Sequence, residues 1–305
     1  MENTYDVIVL GGGAAGLTAG IYLSRAKVKT LILNEGMVGG QMILTYEIAN
    51  YPGIELTSGF QLSTTMKKQA ESFGCDIKQN VQVSSIDLKN DVKKVTVGDT
   101  EYTAKAVIIA TGGRSRNLGV KGEDTFKGRG ISYCATCDGD FYTGQDIIVV
   151  GGGNSALEEA VSLTKFAKSV TVVHQFDHFQ AFEHAIDVAK ANEKISFIME
   201  STIDGFYGEE KVKYVNIKNI KTNEVYKKEI DGVFIFIGYA ANSEAFKEQV
   251  DLNNYGEIMA DNNMATSTEG VFVAGDVREK KIRQIATAIS DGAIAAVNAI
   301  EYIQK

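Results

Sequence analysis

The sequence predicts an α/β protein made of two similar units, of which the second is inserted into the first. Short Val/Ile runs are followed by a glycine cluster and then by a helical pattern, which is typical of βα units in a parallel sheet. This pattern occurs twice, at residues 5–34 and at residues 145–174. A last strand and helix within 270–302 are too short to found a third unit, so we expect them to complete the first sheet.

The elements follow one another in the same order in both copies. For the first copy and then the second, we predict strands at 5–10 and 145–150, glycine turns at 11–13 and 151–153, helices at about 14–26 and 154–168, second strands at 28–34 and 169–174, and late strands at 106–112 and 232–238. This agreement predicts two Rossmann-like, three-layer ββα domains. The first would comprise residues 1–117 and 246–305, and the inserted domain residues 118–245.

The composition of the 305 residues limits the classes of partner. A formal charge of -8 and a pI of about 5.1 leave no basic stretch that could follow a nucleic-acid backbone. The longest apolar runs have the length of strands, and the first residues lack the positive and apolar regions of a signal peptide. We therefore expect a cytoplasmic protein that binds neither nucleic acid nor membrane.

The first glycine turn has the pattern of a dinucleotide-binding loop. Gly11-x-Gly13-x-x-Gly16 follows a strand directly and opens a helix. Such glycines let the backbone approach a diphosphate, and the helix N-terminus offers free N–H groups to it. Glu35 stands at the end of the second strand, where a carboxylate can accept hydrogen bonds from a ribose. The alternatives are a glycine turn without a ligand and a surface role for Glu35.

The second glycine turn predicts a weaker nucleotide site. Gly151-x-Gly153-x-x-Ala156 has the same context, but the position that matches Glu35 is Gln175. An acid there would bind the 2′-hydroxyl of NADH, and arginines would bind the 2′-phosphate of NADPH. The segment has neither, so it is interpreted as a weak NADH site or as a scaffold that has lost its ligand.

A cysteine pair in the inserted domain predicts redox chemistry. Cys134-Ala-Thr-Cys137 has the spacing of a dithiol centre at a helix start. A zinc site is the alternative, but it needs about four ligands, and neither the isolated Cys75 nor the distant histidines supply them. Asp138 follows the second cysteine and is suited to exchange protons with a thiolate, although it could instead cap the helix. No metal is expected.

Together these motifs resemble the low-molecular-weight, bacterial-type thioredoxin reductases over essentially the whole chain. The matching stretches are Gly11 to Gly16, Gly39-Gly-Gln41, Asn50-Tyr-Pro-Gly53, Ala110-Thr-Gly112, Cys134 to Gly139, Gly151 to Glu159, Gly275-Asp276 and Arg283-Gln284. The resemblance implies a homodimeric, FAD-dependent thioredoxin-disulfide reductase. It implies that FAD is bound by Gly11, Gly13, Ala14, Ala15, Gly16, Glu35, Gly39, Gly40, Gln41, Asn50, Val83, Ala110, Thr111, Gly112, Gly275, Asp276, Arg283, Gln284 and Ile285.

The resemblance also implies individual roles. Asp276 would hold the ribityl chain of FAD, and Gln284 would lie near the pyrimidine edge of the flavin. Cys137 would face the flavin, and Cys134 would be the nucleophile that attacks the disulfide of thioredoxin. Because the dithiol cannot face the flavin and a protein substrate at once, the resemblance implies a rotation of the inserted domain.

One departure from this family concerns the electron donor. NADPH-using members have arginines where this chain has Gln175, Phe176 and Gln180. Loss of several charge-assisted hydrogen bonds, each worth about 1.5–3 kcal/mol, would weaken NADPH binding by orders of magnitude. The pattern is similar to a branch of the family, found in anaerobic clostridia, that takes electrons from reduced ferredoxin. We therefore predict reduced ferredoxin as the donor rather than NADPH.

Other functions remain as alternatives. NADH or NADPH could be the donor of the same reductase. The same frame could serve a ferredoxin-NAD(P) oxidoreductase or an NADH oxidase, although the Cys-Ala-Thr-Cys-Asp context argues against incidental cysteines. From a different class comes a non-catalytic flavin redox sensor, which the altered second site favours.

Overall fold

The structure is a computed structural model that describes residues 3–45 and 48–305. The chain divides into two compact units, which we call the first unit (Met1–Arg114 with Ala240–Lys305) and the second unit (Ser115–Tyr239). Within the two described ranges, no helix has the length and apolar character needed to cross a bilayer.

Strands and helices alternate along both units. The strands are β1 Val7–Leu10, β2 Thr30–Asn34, β3 Asp76–Gln79, β4 Val83–Asp87, β5 Lys93–Val97, β6 Thr100–Ala104, β7 Ala106–Ile109, β8 Gly113–Ser115, β9 Ile131–Ser132, β10 Asp146–Val150, β11 Ser169–Val173, β12 Ile195–Ile198, β13 Ser201–Gly208, β14 Val212–Asn219, β15 Val225–Glu229, β16 Gly232–Ile235, β17 Tyr239–Ala241 and β18 Val271–Val273. The helices are α1 Ala14–Arg25, α2 Gly59–Ser72, α3 Glu123–Phe126, α4 Ala135–Asp138, α5 Asn154–Leu163, α6 Glu183–Lys190 and α7 Ile285–Ile303.

The first unit is built on a parallel sheet in the order β18-β7-β1-β2-β3. Successive side chains of a strand point to opposite faces, and β1 is apolar on both. Val7 and Val9 pack into the core formed with α1, α2 and α7, whereas Ile8 and Leu10 pack toward the antiparallel sheet β4-β5-β6. Because β18 pairs in parallel with β7, the final segment does complete the first sheet, as the sequence predicts.

The second unit repeats this arrangement with the strand order β12-β11-β10-β16-β9. Ile147 and Val149 of β10 pack into the core formed with α5, and Ile148 and Val150 pack toward the antiparallel sheet β13-β14-β15. The predicted α/β class with two Rossmann-like units is therefore confirmed.

Equivalent edge strands lead into the candidate site residues of each unit. In sheet position, β18 of the first unit corresponds to β9 of the second. The chain continues from β18 to Gly275-Asp276 and from β9 to Cys134. Because the carboxyl ends of parallel strands meet at one edge of a sheet, ligand-binding residues gather there.

The chain passes between the units earlier than the sequence suggested. The crossings lie at 114/115 and 239/240 rather than at 117/118 and 245/246. Both crossings belong to strands, since β8 and β17 pair with each other in a two-stranded sheet. A crossing that continues as a strand has no Pro/Gly-rich or polar linker to mark it, which explains the displaced boundaries.

Helix α5 also ends earlier than expected, at Leu163 instead of near residue 168. The carbonyl oxygens beyond its end are satisfied by a side chain. Lys194 Nζ donates to the carbonyl oxygens of Thr164, at 2.8 Å, and Ala167, at 3.1 Å. Because this contact joins residues far apart in the chain, the local helical pattern does not reveal it.

Candidate active site

The glycine loop of the first unit brings bare backbone to the start of α1. Gly11 has a φ of +108°, and a Cβ added there would lie 2.3 Å from the carbonyl oxygen of Ala110. Gly13 is the N-cap of α1, and no described side chain caps the helix. The nearest atom to a Cβ added at Gly13 would be Gly40 Cα at 3.9 Å. The N–H groups of α1 thus face a cradle that a side chain would fill, which fits a diphosphate.

The loop that follows β2 is tied to this glycine loop. Gly12 N donates to Asn34 Oδ1 at 2.8 Å, and Gly39 N donates to the carbonyl oxygen of Gly12, also at 2.8 Å. Glu35 comes next after Asn34 and is exposed. Near the same point, Val81 N donates to the carbonyl oxygen of Asn34 at 3.2 Å. The structure therefore gathers the predicted Gly39 and Glu35 around the loop, and it places Val83 two residues further on, at the start of β4.

The turn after β18 is held by an ion network from α7. Asp291 accepts hydrogen bonds from Gly275 N at 3.1 Å, from Arg278 Nε at 3.0 Å and from Lys280 Nζ at 2.8 Å. Burial would raise the pKa of Asp291, but the bonds from Arg278 and Lys280 outweigh it and lower that pKa. Asp276 Oδ1 lies 3.7 Å from Lys280 Nζ. Burial raises the pKa of Asp276, and the charge of Lys280 opposes this rise.

The sequence analysis missed three members of this network: Arg278, Lys280 and Asp291. One signal was available, since Asp291 is an isolated acid in the Ala/Ile-rich sequence of α7. A buried charge of this kind requires a partner. The partners are two basic residues in the loop before the helix, which sequence spacing alone does not connect to it.

The start of α7 brings together two predicted residues that are distant in sequence. Gln284 is the N-cap of α7 and forms a capping box with Thr287. Asn50 Nδ2 donates to Gln284 Oε1 at 3.2 Å. Arg283 is paired with Glu257. These contacts fix the side chain of Gln284 at a helix N-terminus, where a polar ring edge can be bound.

The predicted segment at the end of β7 is clamped by a residue from the returning chain. Thr111 Oγ1 donates to the carbonyl oxygen of Asn242 at 2.7 Å, and Asn242 Nδ2 donates to the carbonyl oxygen of Thr111 at 3.0 Å. Asn242 N also donates to the carbonyl oxygen of Gly112 at 2.9 Å. The remaining predicted residues lie in three places. The start of α1 contains Ala14, Ala15 and Gly16, the short 3-10 helix Gly40–Leu44 contains Gln41, and α7 begins with Ile285. Taken together, the glycine loop, the start of α1 and the polar side chains around them fit a dinucleotide cofactor.

The cysteine pair of the second unit is a disulfide. Cys134 and Cys137 are joined, with their Cα atoms 5.3 Å apart, on the turn that follows β9. Both are half-buried. Cys137 N donates to Cys134 Sγ at 3.2 Å. Once the disulfide is reduced, a backbone N–H at this distance would favour the thiolate form of Cys134.

Asp138 is joined to this turn through Ser132, a residue that the sequence analysis did not single out. The oxygens Ser132 Oγ and Asp138 Oδ2 are 2.6 Å apart, and Cys134 N donates to Ser132 Oγ at 3.1 Å. Burial raises the pKa of Asp138, the bond from Ser132 opposes the rise, and the charge of Asp140 adds to it. The turn therefore holds a disulfide and an acid that retains its proton to higher pH than an exposed carboxyl.

A second missed contact connects the dithiol turn to the chain that enters the unit. Tyr133, which precedes Cys134, donates from its hydroxyl to Glu123 Oε1 at 2.7 Å. Glu123 is buried and accepts from Leu118 N at 2.9 Å and Gly119 N at 2.7 Å. Burial and the bond to Glu123 raise the pKa of Tyr133. One carboxylate thus fixes the end of the entering chain to the residue beside the disulfide.

The second glycine loop keeps the backbone geometry of the first. Gly151 has a φ of +136°, and a Cβ added there would lie 2.3 Å from the carbonyl oxygen of Phe236. Gly153 is the N-cap of α5, again with no cap from a described side chain. Ala156 takes the place of the third glycine and is fully buried. The loop retains the form of a dinucleotide-binding loop.

Aromatic side chains lie beside the second loop. A Cβ added at Gly152 would lie 2.4 Å from the ring of His174, and Gln180 N donates to the carbonyl oxygen of Gly152 at 2.8 Å. His174 is stacked on Phe179, and Phe176 meets it edge-on with ring centroids 5.4 Å apart. Burial lowers the pKa of His174, so this ring is neutral near pH 7.

The three positions that the sequence analysis singled out beside this loop are all exposed. They are Gln175, Phe176 and Gln180, none of which carries a charge. Asp177, two residues after Gln175, is paired with its neighbour, since His178 Nδ1 lies 2.7 Å from Asp177 Oδ1.

The isolated Cys75 lies in the core of the first unit. Its thiol is buried, and burial raises its pKa to about 12. In the described part of the chain, no group of three or more His, Cys, Asp or Glu residues is arranged to bind a metal ion.

Comparisons with known proteins agree with one another. Residues 5–292 match the family described as pyridine nucleotide-disulphide oxidoreductase. The chain is 43% identical over 311 residues to the thioredoxin reductase of Peptoclostridium acidaminophilum, covering 100% of this chain and 98% of that protein. It is 44% identical over 302 residues to a Clostridium pasteurianum protein described as a 34.2 kDa protein in rubredoxin operon, covering 99% and 98%. The crystal structure of the thioredoxin reductase from Streptococcus pyogenes MGAS5005 has a TM-score of 0.95 at 43% identity, covering 100% of this chain and 99% of that one.

Proposed function

This chain belongs to the pyridine nucleotide-disulphide oxidoreductase family, among its low-molecular-weight thioredoxin reductases, and we propose that it is an FAD-dependent thioredoxin-disulfide reductase. The observation that carries the proposal is the Cys134–Cys137 disulfide with Asp138 beside it. We further propose that reduced ferredoxin is the electron donor and that the enzyme is a cytoplasmic homodimer. Sedimentation at a mass near twice 33.0 kDa would support the homodimer, and the mass of one chain would refute it.

FAD would be held by the first unit. The N-terminus of α1 beside Gly13, which no described side chain caps, suits its diphosphate, and the exposed Glu35 suits its ribose. Asp276 would accept a hydrogen bond from a hydroxyl of the ribityl chain, and Gln284 would bind the pyrimidine edge of the flavin. When bound, FAD supplies two-electron redox chemistry that can reduce a disulfide.

The dithiol would then act by thiol–disulfide exchange. The Cys134 thiolate attacks one sulfur of the thioredoxin disulfide, the S–S bond of thioredoxin breaks, and the leaving sulfur takes a proton. The Cys137 thiolate attacks Cys134 in the mixed disulfide, which releases the second thiol of thioredoxin and restores the Cys134–Cys137 disulfide. Two electrons pass to thioredoxin in these steps. We assign the proton exchange to Asp138, which follows Cys137 directly and whose pKa is raised by burial, so that it keeps its proton to higher pH.

The donor is proposed from the surroundings of the second glycine loop. Gln175, Phe176 and Gln180 offer no positive charge to the 2′-phosphate of NADPH. Each missing charge-assisted bond weakens binding by about 1.5–3 kcal/mol. The relative in Clostridium pasteurianum is named for a rubredoxin operon, which is in keeping with a small iron protein as donor.

A nicotinamide donor is the second candidate. The backbone of the second loop supports it, because Gly151 and Gly153 keep the conformation and the open helix N-terminus of a diphosphate site. NADH fits this loop better than NADPH, since NADH has no 2′-phosphate to neutralise.

One titration tests both candidates. The purified holoenzyme is kept anaerobic, and the visible absorbance of the oxidised flavin is followed as NADPH, NADH or reduced ferredoxin is added separately. Bleaching by ferredoxin alone is the expected result. Bleaching by NADH or NADPH at micromolar concentration would refute the ferredoxin proposal, and failure of every reduced sample to reduce thioredoxin disulfide would refute the reductase itself.

A further inference from the structure

Ser132 occupies a position between the acid and the disulfide. It is the last residue of β9 and is 4% exposed. Its Oγ is 2.6 Å from Asp138 Oδ2, 3.1 Å from Cys134 N and 3.3 Å from the carbonyl oxygen of Cys134. One buried hydroxyl therefore contacts both the proton-exchanging carboxyl and the backbone of the cysteine assigned as nucleophile.

A hydroxyl has one proton to donate and two lone pairs to accept with. When Asp138 is ionised, Ser132 donates to Oδ2 and accepts from Cys134 N, and the 2.6 Å separation suits such a charge-assisted bond. When Asp138 is protonated, its own O–H can donate to Ser132 Oγ. The Ser132 hydroxyl then turns its proton to the carbonyl oxygen of Cys134. Asp138 Oδ2 and Cys134 N thus stay bonded to Ser132 Oγ in both states, and the carbonyl oxygen of Cys134 accepts from Ser132 only when Asp138 is protonated.

We propose that Ser132 is a positioning residue for proton exchange at the dithiol, which lets Asp138 gain and lose its proton without moving from the cysteines. This inference rests on the proposed function, because it takes Cys134 and Cys137 as the exchanging dithiol and Asp138 as their proton partner. It adds a residue that does not itself touch the substrate. Its hydroxyl is required in two orientations, which no purely donating or purely accepting side chain can supply.

Other titratable groups near Asp138 do not provide this exchange. Asp140, on the following 3-10 turn, is exposed and raises the pKa of Asp138 through its charge. Tyr142 has its own pKa raised to about 12, by burial first and then by the charge of Asp138, so it stays neutral. On α5, which packs against α4, the pKa of Glu159 is raised by burial and by the charge of Glu158. The cysteine thiols themselves titrate once the disulfide is reduced.

The test uses variants matched in shape. Ser132→Thr keeps the hydroxyl. Ser132→Val has nearly the shape of the Thr variant but no hydroxyl, and Ser132→Ala removes the hydroxyl without adding bulk. Each holoenzyme is reduced with dithiothreitol and freed of reductant. It is then mixed with thioredoxin disulfide or with a small aromatic disulfide, and the rate of exchange is measured from pH 5 to pH 9. FAD content and the unfolding midpoint are recorded for every variant.

We expect the Val and Ala variants to exchange about tenfold more slowly, because one hydrogen bond to a charged group is lost. Their pH profile should also move to higher pH, since the bond from Ser132 favours the ionised form of Asp138. The Thr variant should keep the native profile. In an Asp138→Asn background, replacing Ser132 should cause no pH shift.

The outcomes separate this inference from the reductase proposal. If native enzyme reduces the small disulfide but not thioredoxin disulfide, the proposal that thioredoxin is the substrate is refuted. The effect of Ser132 on the pH profile is then measured with the small disulfide. Equal pH profiles for the native, Val and Ala proteins would overturn the role of Ser132. A pH shift that persists in the Asp138→Asn background would overturn it as well. If Thr and Val both fail to fold, the Ala variant decides.

Discussion

The glycine loops of the two units have similar backbones but different surroundings. In the first unit, the amide side chain of Asn34 accepts from Gly12 N, and the exposed Glu35 follows it. In the second, the neutral ring of His174 stands at the matching place, and Gln175 follows. The loop geometry shows only that a diphosphate can approach. In Rossmann folds, the residue at the end of the second strand selects the nucleotide, and the two units differ at this position.

The largest expected effect concerns the Cys134–Cys137 disulfide of the second unit. Changing Cys137→Ser should reduce thioredoxin turnover to background while leaving FAD bound, because the mixed disulfide can no longer be resolved. Turnover and flavin absorbance are measured on the same sample. The control is Cys75→Ala, which removes a buried thiol outside the site and should retain turnover. Full activity of Cys137→Ser would remove the dithiol from the mechanism.

A matched pair of glycine substitutions compares the two loops directly. Gly11→Ala and Gly151→Ala each place a Cβ 2.3 Å from a backbone carbonyl at a positive φ, so each strains its loop to a similar degree. We expect Gly11→Ala to lose most of its FAD on purification. Gly151→Ala should remain yellow and keep ferredoxin-driven turnover. Equal loss of FAD in both variants would contradict the assignment of FAD to the first unit.

The difference at the second loop can be reversed by adding charge. Gln175→Arg combined with Phe176→Arg should raise the affinity for NADPH, since each charge-assisted bond contributes about 1.5–3 kcal/mol, or roughly tenfold or more. Steady-state turnover with NADPH and thioredoxin measures the gain. Gln175→Glu is the control, because an acid favours NADH over NADPH. An unchanged NADPH response would show that more than side-chain charge has been lost.

The smallest expected effect tests the link from the entering chain to the dithiol turn. Glu123→Gln replaces one acceptor oxygen by an amide nitrogen and leaves one of the N–H groups of Leu118 and Gly119 without its acceptor. The expected loss is about 1–3 kcal/mol of unfolding free energy. Urea unfolding of the holoenzyme measures it, with Tyr133→Phe as a control that removes one bond to the same carboxylate. An unaltered midpoint in Glu123→Gln would contradict the proposed link.

The fold followed from local sequence patterns, but several site contacts did not. Strand β1 is apolar on both faces, and its glycine turn marks the βα unit, so the parallel sheets were predictable. The pairing of Asp291 with Arg278 and Lys280 arises only when α7 packs beside the turn after β18. The role of Ser132 could not be predicted from the sequence for another reason. A serine at a strand end has many ordinary roles, and its contact with Asp138 depends on how the four-residue α4 turns back.

The paired strands β8 and β17, at which the chain crosses between the units, affect how such a protein can evolve. Arg116 N donates to the carbonyl oxygen of Gly238 at 3.0 Å, so the inserted unit enters and leaves through neighbouring backbone segments. Adjacent strands lie about 4.8 Å apart. An inserted segment whose ends meet so closely can be removed, exchanged or altered while the chain that receives it still closes its own sheet. The second unit can therefore change its side chains around Gly151 and Gly153 without disturbing the parallel sheet of the first unit.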